Sequence, residues 1–215
     1  MSSSAMADGV GISSDLKAWA SGAGFSLTPV DNDGRAVFAT SDGEIRYFVE
    51  KVDEIWFRVT CSNRMGPEQF ELAAPSLSTI ETYFYGSFGL DIRDNAERTD
   101  ATPDTRRLDG RFQIGPAADA DLARLQLVND ADEPYLALFD QDQVIAVDGF
   151  DEVIANIRLT DLAVYLSVDN EDIKAAFTDD DGLDSNREPL LVVVDDDDDD
   201  EGEGTGVGTD EGVLV

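Results

Sequence analysis

"GPEQFELAAPSLSTIETYFYGSFG" (66–89) places eight large apolar or aromatic side chains in one short stretch: Phe70, Leu72, Leu77, Ile80, Tyr83, Phe84, Tyr85 and Phe88. Pro75 and Ser76 mark the start of a helix, and Ser78 and Glu81 stand at capping-box spacing. Leu77, Ile80, Phe84 and Phe88 then recur at helical intervals on one stripe. "FELAA" (70–74), just before, reads as a short extended piece. The stripe can cover a sheet, with roughly 1.5–3 kcal/mol gained for each large side chain buried. The segment offers no histidine, no cysteine and no nucleophile with a partner, so its aromatics read as core.

The sheet that the stripe needs lies upstream. "FSLTPV" (25–30), "RAVFAT" (35–40), "EIRYFVEKV" (44–52) and "EIWFRVTCS" (54–62) are rich in β-branched and aromatic residues. Asp33-Gly34 and Asp42-Gly43 suit tight turns, because glycine accepts positive φ. The pattern predicts an antiparallel meander of about four strands with one face turned to a core. Ile55, Phe57, Val59 and Cys61 share one face, and Trp56, Arg58 and Thr60 the other. Before the meander, "SSDLKAWASGAG" (13–24) reads as a short helix capped by Ser13 or Ser14 and ended by Gly22 or Gly24.

Downstream, 94–110 is polar, contains Pro103 and reads as a linker or long loop. "ADADLARLQL" (118–127) fits a helix or a strand. "YLALF" and "VIAVDGF" flank "DQDQ" as a hairpin. Residues 151–159, 160–167 and 170–177 read as short helices, with Thr160 and Asp169 or Asn170 as caps, and "LLVVV" (190–194) as a last strand. The predicted fold class is therefore α+β. A flexible start (1–12) precedes an N-terminal αβ region (13–93), the linker (94–110) and a smaller αβ region with a helical hairpin (111–194). From Asp195 to Val215 the chain is acid and glycine, and is expected to be disordered.

The 215-residue chain has a formal net charge of -32. Residues 195–215 hold ten acids and no Lys or Arg, yet the preceding chain still sets 15 basic residues against 37 acidic ones. Such a field repels nucleic acid and anionic lipid. It is compatible with a basic partner, with a demand for solubility, or with high salt. One cysteine precludes an intrachain disulfide, and neither a secretory signal nor a membrane span is present, which points to a cytoplasmic protein.

Chemistry-bearing motifs are scarce. With no histidine, the commonest general base and metal ligand is missing. Cys61 lies on the buried-looking face, and G-x-S-x-G and Walker patterns are absent. "TDDDG" (178–182) and Asp195–Asp200 lack the frame of a calcium loop, so no metal site is assigned. "LTDLAVYLSVDNEDIKAAF" (159–177) imitates a helix-turn-helix through Leu162, Leu166, Val168 and Ile173. Its second helix, however, carries a single lysine, Lys174, among acids, where a DNA reader needs cations and amides. No catalytic residue and no cofactor is predicted, so the chain reads as a non-enzyme.

Two regions of the chain resemble a known family. "SSDLKAWASGAGFSL", "WFRVTCSNRMGPEQFELAAPSLSTIETYFYGSFGLDIR" and the later "LAVYLSVDNEDIKAAFTDDDG" are similar to actinobacterial immunity proteins related to the antitoxin of the tuberculosis necrotizing toxin. The likeness spans roughly 13–93 and 135–182. It implies a cytoplasmic, non-enzymatic protein that binds a cognate toxin domain one to one and blocks its active site. For the best-known relative that toxin is an NAD(P) glycohydrolase. The six-aspartate run and the exceptional charge depart from the family. A binding surface is then expected on the loops at the strand ends: Asp31, Asn32 and Asp33; Asp42 and Glu44; Asn63, Arg64, Met65 and Glu68. The competing reading is a general interaction or adaptor domain without a toxin partner.

Overall fold

The computed structural model describes residues 9–128, 134–149, 151–179 and 189–194. The acidic stretch from Asp195, the "DDGLDSNRE" stretch (180–188) and residues 1–8 lie outside them. Val10 and Ile12 pack against the core. Helix α1 (Ser14–Gly22) is capped by the Ser13 hydroxyl, which accepts from the Leu16 amide. Strands β1 (Phe25–Thr28), β2 (Ala36–Thr40), β3 (Ile45–Lys51), β4 (Phe57–Asn63) and β5 (Gln69–Ala74) form the meander. Gly34 and Gly43 take positive φ in two of its turns. The meander has five strands, because "FELAA" belongs to it.

Its register sorts the side chains. Ala36, Val49, Val59 and Leu72 lie in one cross-strand row on the inner face, at most 1% exposed. Val37, Phe48, Thr60 and Phe70 form the outer row. Between Val59 and Thr60 the pairing shifts, leaving Glu71 as an extra residue in β5. The alternation expected in β4 holds from Phe57 to Cys61. Ile55 departs from it, because it sits in a turn where the Asp53 carboxylate accepts from the Ile55 and Trp56 amides.

Helix α2 (Leu77–Asn95) crosses the inner face. Phe84 and Phe88 meet Phe38 at ring separations of 5.1 and 5.2 Å, and Phe88 meets Phe25 at 4.7 Å. The expected capping box does not form. The Ser76 and Ser78 hydroxyls bond each other, and Glu81 accepts from the Ser13 amide, tying α2 to α1. The side of α2 away from the aromatics is opened by two glycines. A Cβ on Gly86 would stand 2.1 Å from the Tyr165 ring, and one on Gly89 would stand 2.3 Å from the Phe177 ring.

Those rings come from α4 (Glu152–Tyr165) and α5 (Asn170–Thr178). Residues 151–167, expected as two helices, form one. It is capped by Asp151, and Thr160 sits inside it, donating to the Asn156 carbonyl. Asp169 caps α5 as expected. Both helices pack on α2 far more than on each other, so the hairpin is held through a third helix. The ambiguous 118–127 segment contains α3 (Asp119–Arg124). Where the sequence reads a linker, β6 (Ala101–Pro103) and a 3-10 turn (Thr105–Arg107) follow α2. The β6 strand pairs with the last strand, β10 (Leu191–Val193).

Strands β7 (Phe112–Pro116), β8 (Leu136–Asp140) and β9 (Gln143–Asp148) extend the meander into an eight-stranded sheet, with order β1-β2-β3-β4-β5-β9-β8-β7. The seam between β5 and β9 has a single registered pair, Ala73 with Val147. Ion pairs reinforce it. Arg158 of α4 donates to Glu71 of β5 and, at 2.8 Å, to the fully buried Asp148 of β9, while the Tyr83 hydroxyl donates to Glu71 at 2.8 Å. The outer face is not bare throughout. Trp56, Ala73, Ala137 and Val147 bury with Leu122 and Leu125 in a second core beneath α3.

Gly86→Ala and Gly89→Ala set two effects against each other. Alanine favours an isolated helix by roughly 0.5–1 kcal/mol, whereas overpacking a close contact costs about 1–3 kcal/mol. Contacts of 2.1 and 2.3 Å against ring atoms make the second effect win. Each variant is expected to lower the urea midpoint of unfolding, and an unchanged or higher midpoint would contradict the packing described.

Candidate functional site

The outer face of β2–β5 beyond the second core is covered by side chains rather than by a helix. Arg35, just before β2, extends over it. The Asp31 carboxylate accepts from the Arg35 amide and from Nε, and both Glu68 oxygens accept from Nη1 at 3.1 and 3.0 Å. Glu68 also accepts from the Thr60 hydroxyl at 2.8 Å. The Arg35 guanidinium lies 4.3 Å from the Phe48 ring centre and that of Arg46 lies 5.6 Å away. An aromatic side chain on an open sheet face is thereby held to 8% exposure. Arg46 donates to Ser62, and Arg58 is joined to Glu50 and to the Leu125 carbonyl. The result is a fixed lattice of paired charges across four strands.

The nine residues expected to form a surface fall into distinct places. Asp31 shapes the β1–β2 turn from within. Burial works against its carboxylate, but hydrogen bonds from the Arg35 and Asp33 amides and the Arg35 side chain hold it below the ordinary value. Asn32 and Asp33 are exposed on that turn, and Asp33 lines a hollow of about 350 Å³ with Arg35, Glu50 and Phe57. Glu68 belongs to the lattice. Asp42, Glu44, Asn63, Arg64 and Met65 gather at the opposite end of the strands. There Asp42 accepts from Thr40 and from the Glu44 amide, which lowers its pKa, while the Arg64 amide donates to the Glu44 carbonyl at 2.6 Å. Arg35, Phe48, Arg46 and Thr60 join the surface without being among the nine. Their only sequence signal is polar alternation in strands whose other face is apolar.

The β4–β5 turn carries backbone strain. Arg64 and Met65 have φ of +49° and +61°, and the Gly66 amide closes onto the Asn63 carbonyl at 2.8 Å. These two positions normally take Asn-Gly. Held there, each ordinary residue costs roughly 1 kcal/mol or more. Met65 is 76% exposed.

Away from this face, burial shifts several titratable groups. Burial, and then Glu71, pushes the Cys61 thiol up to about 11, so it stays protonated at neutral pH. Burial raises Asp148 to about 6 against the pull of Arg158, and raises Asp161 to about 6. Asp161 lines a cavity of about 100 Å³ between α2 and α4, with Tyr83, Ser87, Arg158, Leu162 and Tyr165. Among the described residues no cluster of three or more His, Cys, Asp or Glu could hold a metal, and no helix is long and apolar enough to cross a membrane.

The chain resembles known proteins over most of its length. A family model described as Immunity protein 61 matches residues 19–183. The chain is similar to the "Immunity factor for TNT" of Mycobacterium tuberculosis, at 32% identity over 183 residues, covering 82% of this chain and 93% of the relative. The same figures hold for the "Immunity factor for TNT homolog" of Mycobacterium bovis BCG. A solved structure titled "Rv3902c from M. tuberculosis" superposes with a TM-score of 0.67 at 30% identity, covering 89% of this chain and 98% of that one.

The shifted carboxylates set a pH profile. Asp91, Asp148 and Asp161, raised from 3.8 to about 6, contribute stability that is present below 3.8 and lost as pH rises through 6. Asp15, Asp31, Asp42, Asp53 and Asp104, all lowered, contribute stability that is lost as pH falls below their ordinary 3.8. The melting temperature is therefore expected to be highest near roughly pH 4 and to decline from there through about pH 6. Asp161→Asn should flatten the descent toward neutral pH, and a parent-like slope in this variant would discount Asp161.

Proposed function

The chain belongs to the Immunity protein 61 family, and from that membership we propose that it protects its cell by binding a cognate toxin domain one to one and blocking that toxin's active site. The family match and the relatives' titles as immunity factors for TNT carry this reading. The proposed toxin is an NAD(P) glycohydrolase, met in the cytoplasm. The protein acts by occupancy and not by catalysis, consistent with a chain without histidine and a Cys61 thiol held in its neutral form.

The proposed contact surface is the outer face of the meander with the turns at its ends. On that face Arg35 with Asp31 and Glu68, and Arg58 with Glu50, are held by one another before any partner arrives, so binding need not order them. The net charge of -32 favours a partner with a basic surface. It also speeds encounter, toward about 10⁸–10⁹ M⁻¹s⁻¹ at low salt.

Co-expression with the toxin domain encoded beside the gene tests this reading. Growth and cellular NAD should be preserved, a one-to-one complex should be recovered, and its association rate should fall steeply as salt rises. NAD loss despite soluble expression of both proteins would reject that toxin as the partner. Absence of any complex would favour an adaptor role instead.

A further inference from the structure

Resting on the toxin-binding reading, we infer that Met65 is the side chain that enters the partner, seating in an apolar pocket with a basic rim. Three observations carry this. First, among the described residues Arg64 and Met65 are the only two adjacent non-glycine residues at positive φ; Glu97, Gln126 and Gln141 occur singly. A turn selected for stability alone would hold Asn-Gly there, and retained backbone strain is a mark of function. Second, the turn is pinned. The Arg64 amide donates to the Glu44 carbonyl, the Gly66 amide to the Asn63 carbonyl, and the Ser62 hydroxyl to the Gly66 carbonyl. A Cβ on Gly66 would stand 2.9 Å from the Asn63 carbonyl oxygen, so a larger residue there would force the turn open.

Third, the pinned turn projects an unpacked apolar side chain between charges. Met65 is 76% exposed, the Arg64 side chain is 86% exposed, and on the neighbouring turn Glu44 lies 3.9 Å from the Arg64 guanidinium while Asp42 is exposed. Acids around an apolar tip match an apolar pocket rimmed by Lys or Arg. A flexible thioether on a rigid support fills irregular pockets well.

The test uses the full-length protein and the toxin domain encoded beside it, silenced by mutation, with affinity read by calorimetry and stability by urea unfolding. Met65→Ser should weaken binding by about tenfold or more, the loss of an anchor residue, and Met65→Leu should stay within a few-fold of the parent. The double variant R64N/M65G should unfold at higher urea while binding at least as weakly as Met65→Ser. Stability and affinity moving in opposite directions is a result that a merely structural turn cannot produce. Parent-like affinity in both Met65→Ser and the double variant would overturn the inference while leaving the immunity reading in place. The inference is equally overturned if Ile157→Asp, on the exposed Val153, Ile154 and Ile157 face of α4, abolishes binding and the turn variants do not. If the parent protein itself fails to bind, the immunity reading falls and takes the inference with it.

Discussion

Gly86 and Gly89 let the backbone of α2 lie against the Tyr165 and Phe177 rings, and the rest of the molecule is arranged around that approach. The helix is asymmetric. Toward the sheet it presents Phe84 and Phe88, which fill the space over a twisted antiparallel surface. Toward α4 and α5 it presents Gly86 and Gly89 opposite the two rings, so two further helices come close. The "YFYGSFG" stretch therefore writes both contacts into seven consecutive residues. Trp19 adds to them by donating to the Tyr85 carbonyl, and Lys174 reaches Asp15 from α5.

The second organising feature is the seam between β5 and β9. A backbone ladder there is nearly absent, and side chains take its place. The bulge in β5 turns Glu71 inward, where the carboxylate meets Arg158 and Tyr83. Burying Asp148 beside them is costly, as its raised pKa records, and the guanidinium offsets that cost only in this geometry. Arg158 reaches Glu71 of β5 and Asp148 of β9 at once, so it ties the two halves of the sheet together where the backbone ladder is thin.

Much of this is legible in the sequence where the determinants are local. Ser13 and Asp169 cap the helices they precede, Gly34 and Gly43 close the turns they suit, and "YLALF" with "VIAVDGF" makes a hairpin. Reading fails where a distant partner decides. The capping box is lost because Glu81 finds the Ser13 amide, 68 positions away. The 94–110 segment gains a strand only because Leu191–Val193 returns to pair with it. Thr160 looks like a cap because of its neighbours, yet the apolar face of α4 runs through it. Turn chemistry places the loops that crown the meander, but not the left-handed backbone at Arg64 and Met65, since neither residue type announces it. The outer lattice is hidden for a similar reason: Arg35 and Glu68 stand 33 positions apart, and only the folded register makes them neighbours.

The placement of the two glycines has a bearing on how the chain is made. Synthesis completes the meander and α2 well before Tyr165 and Phe177 leave the ribosome. If the aromatic stripe docks as soon as its sheet exists, the opposite side of α2 has no cover through that interval. An exposed helix flank on a nascent chain invites association with its neighbours. Mutual repulsion among chains already rich in acid opposes it, so the charge that suits a finished inhibitor also guards the unfinished one.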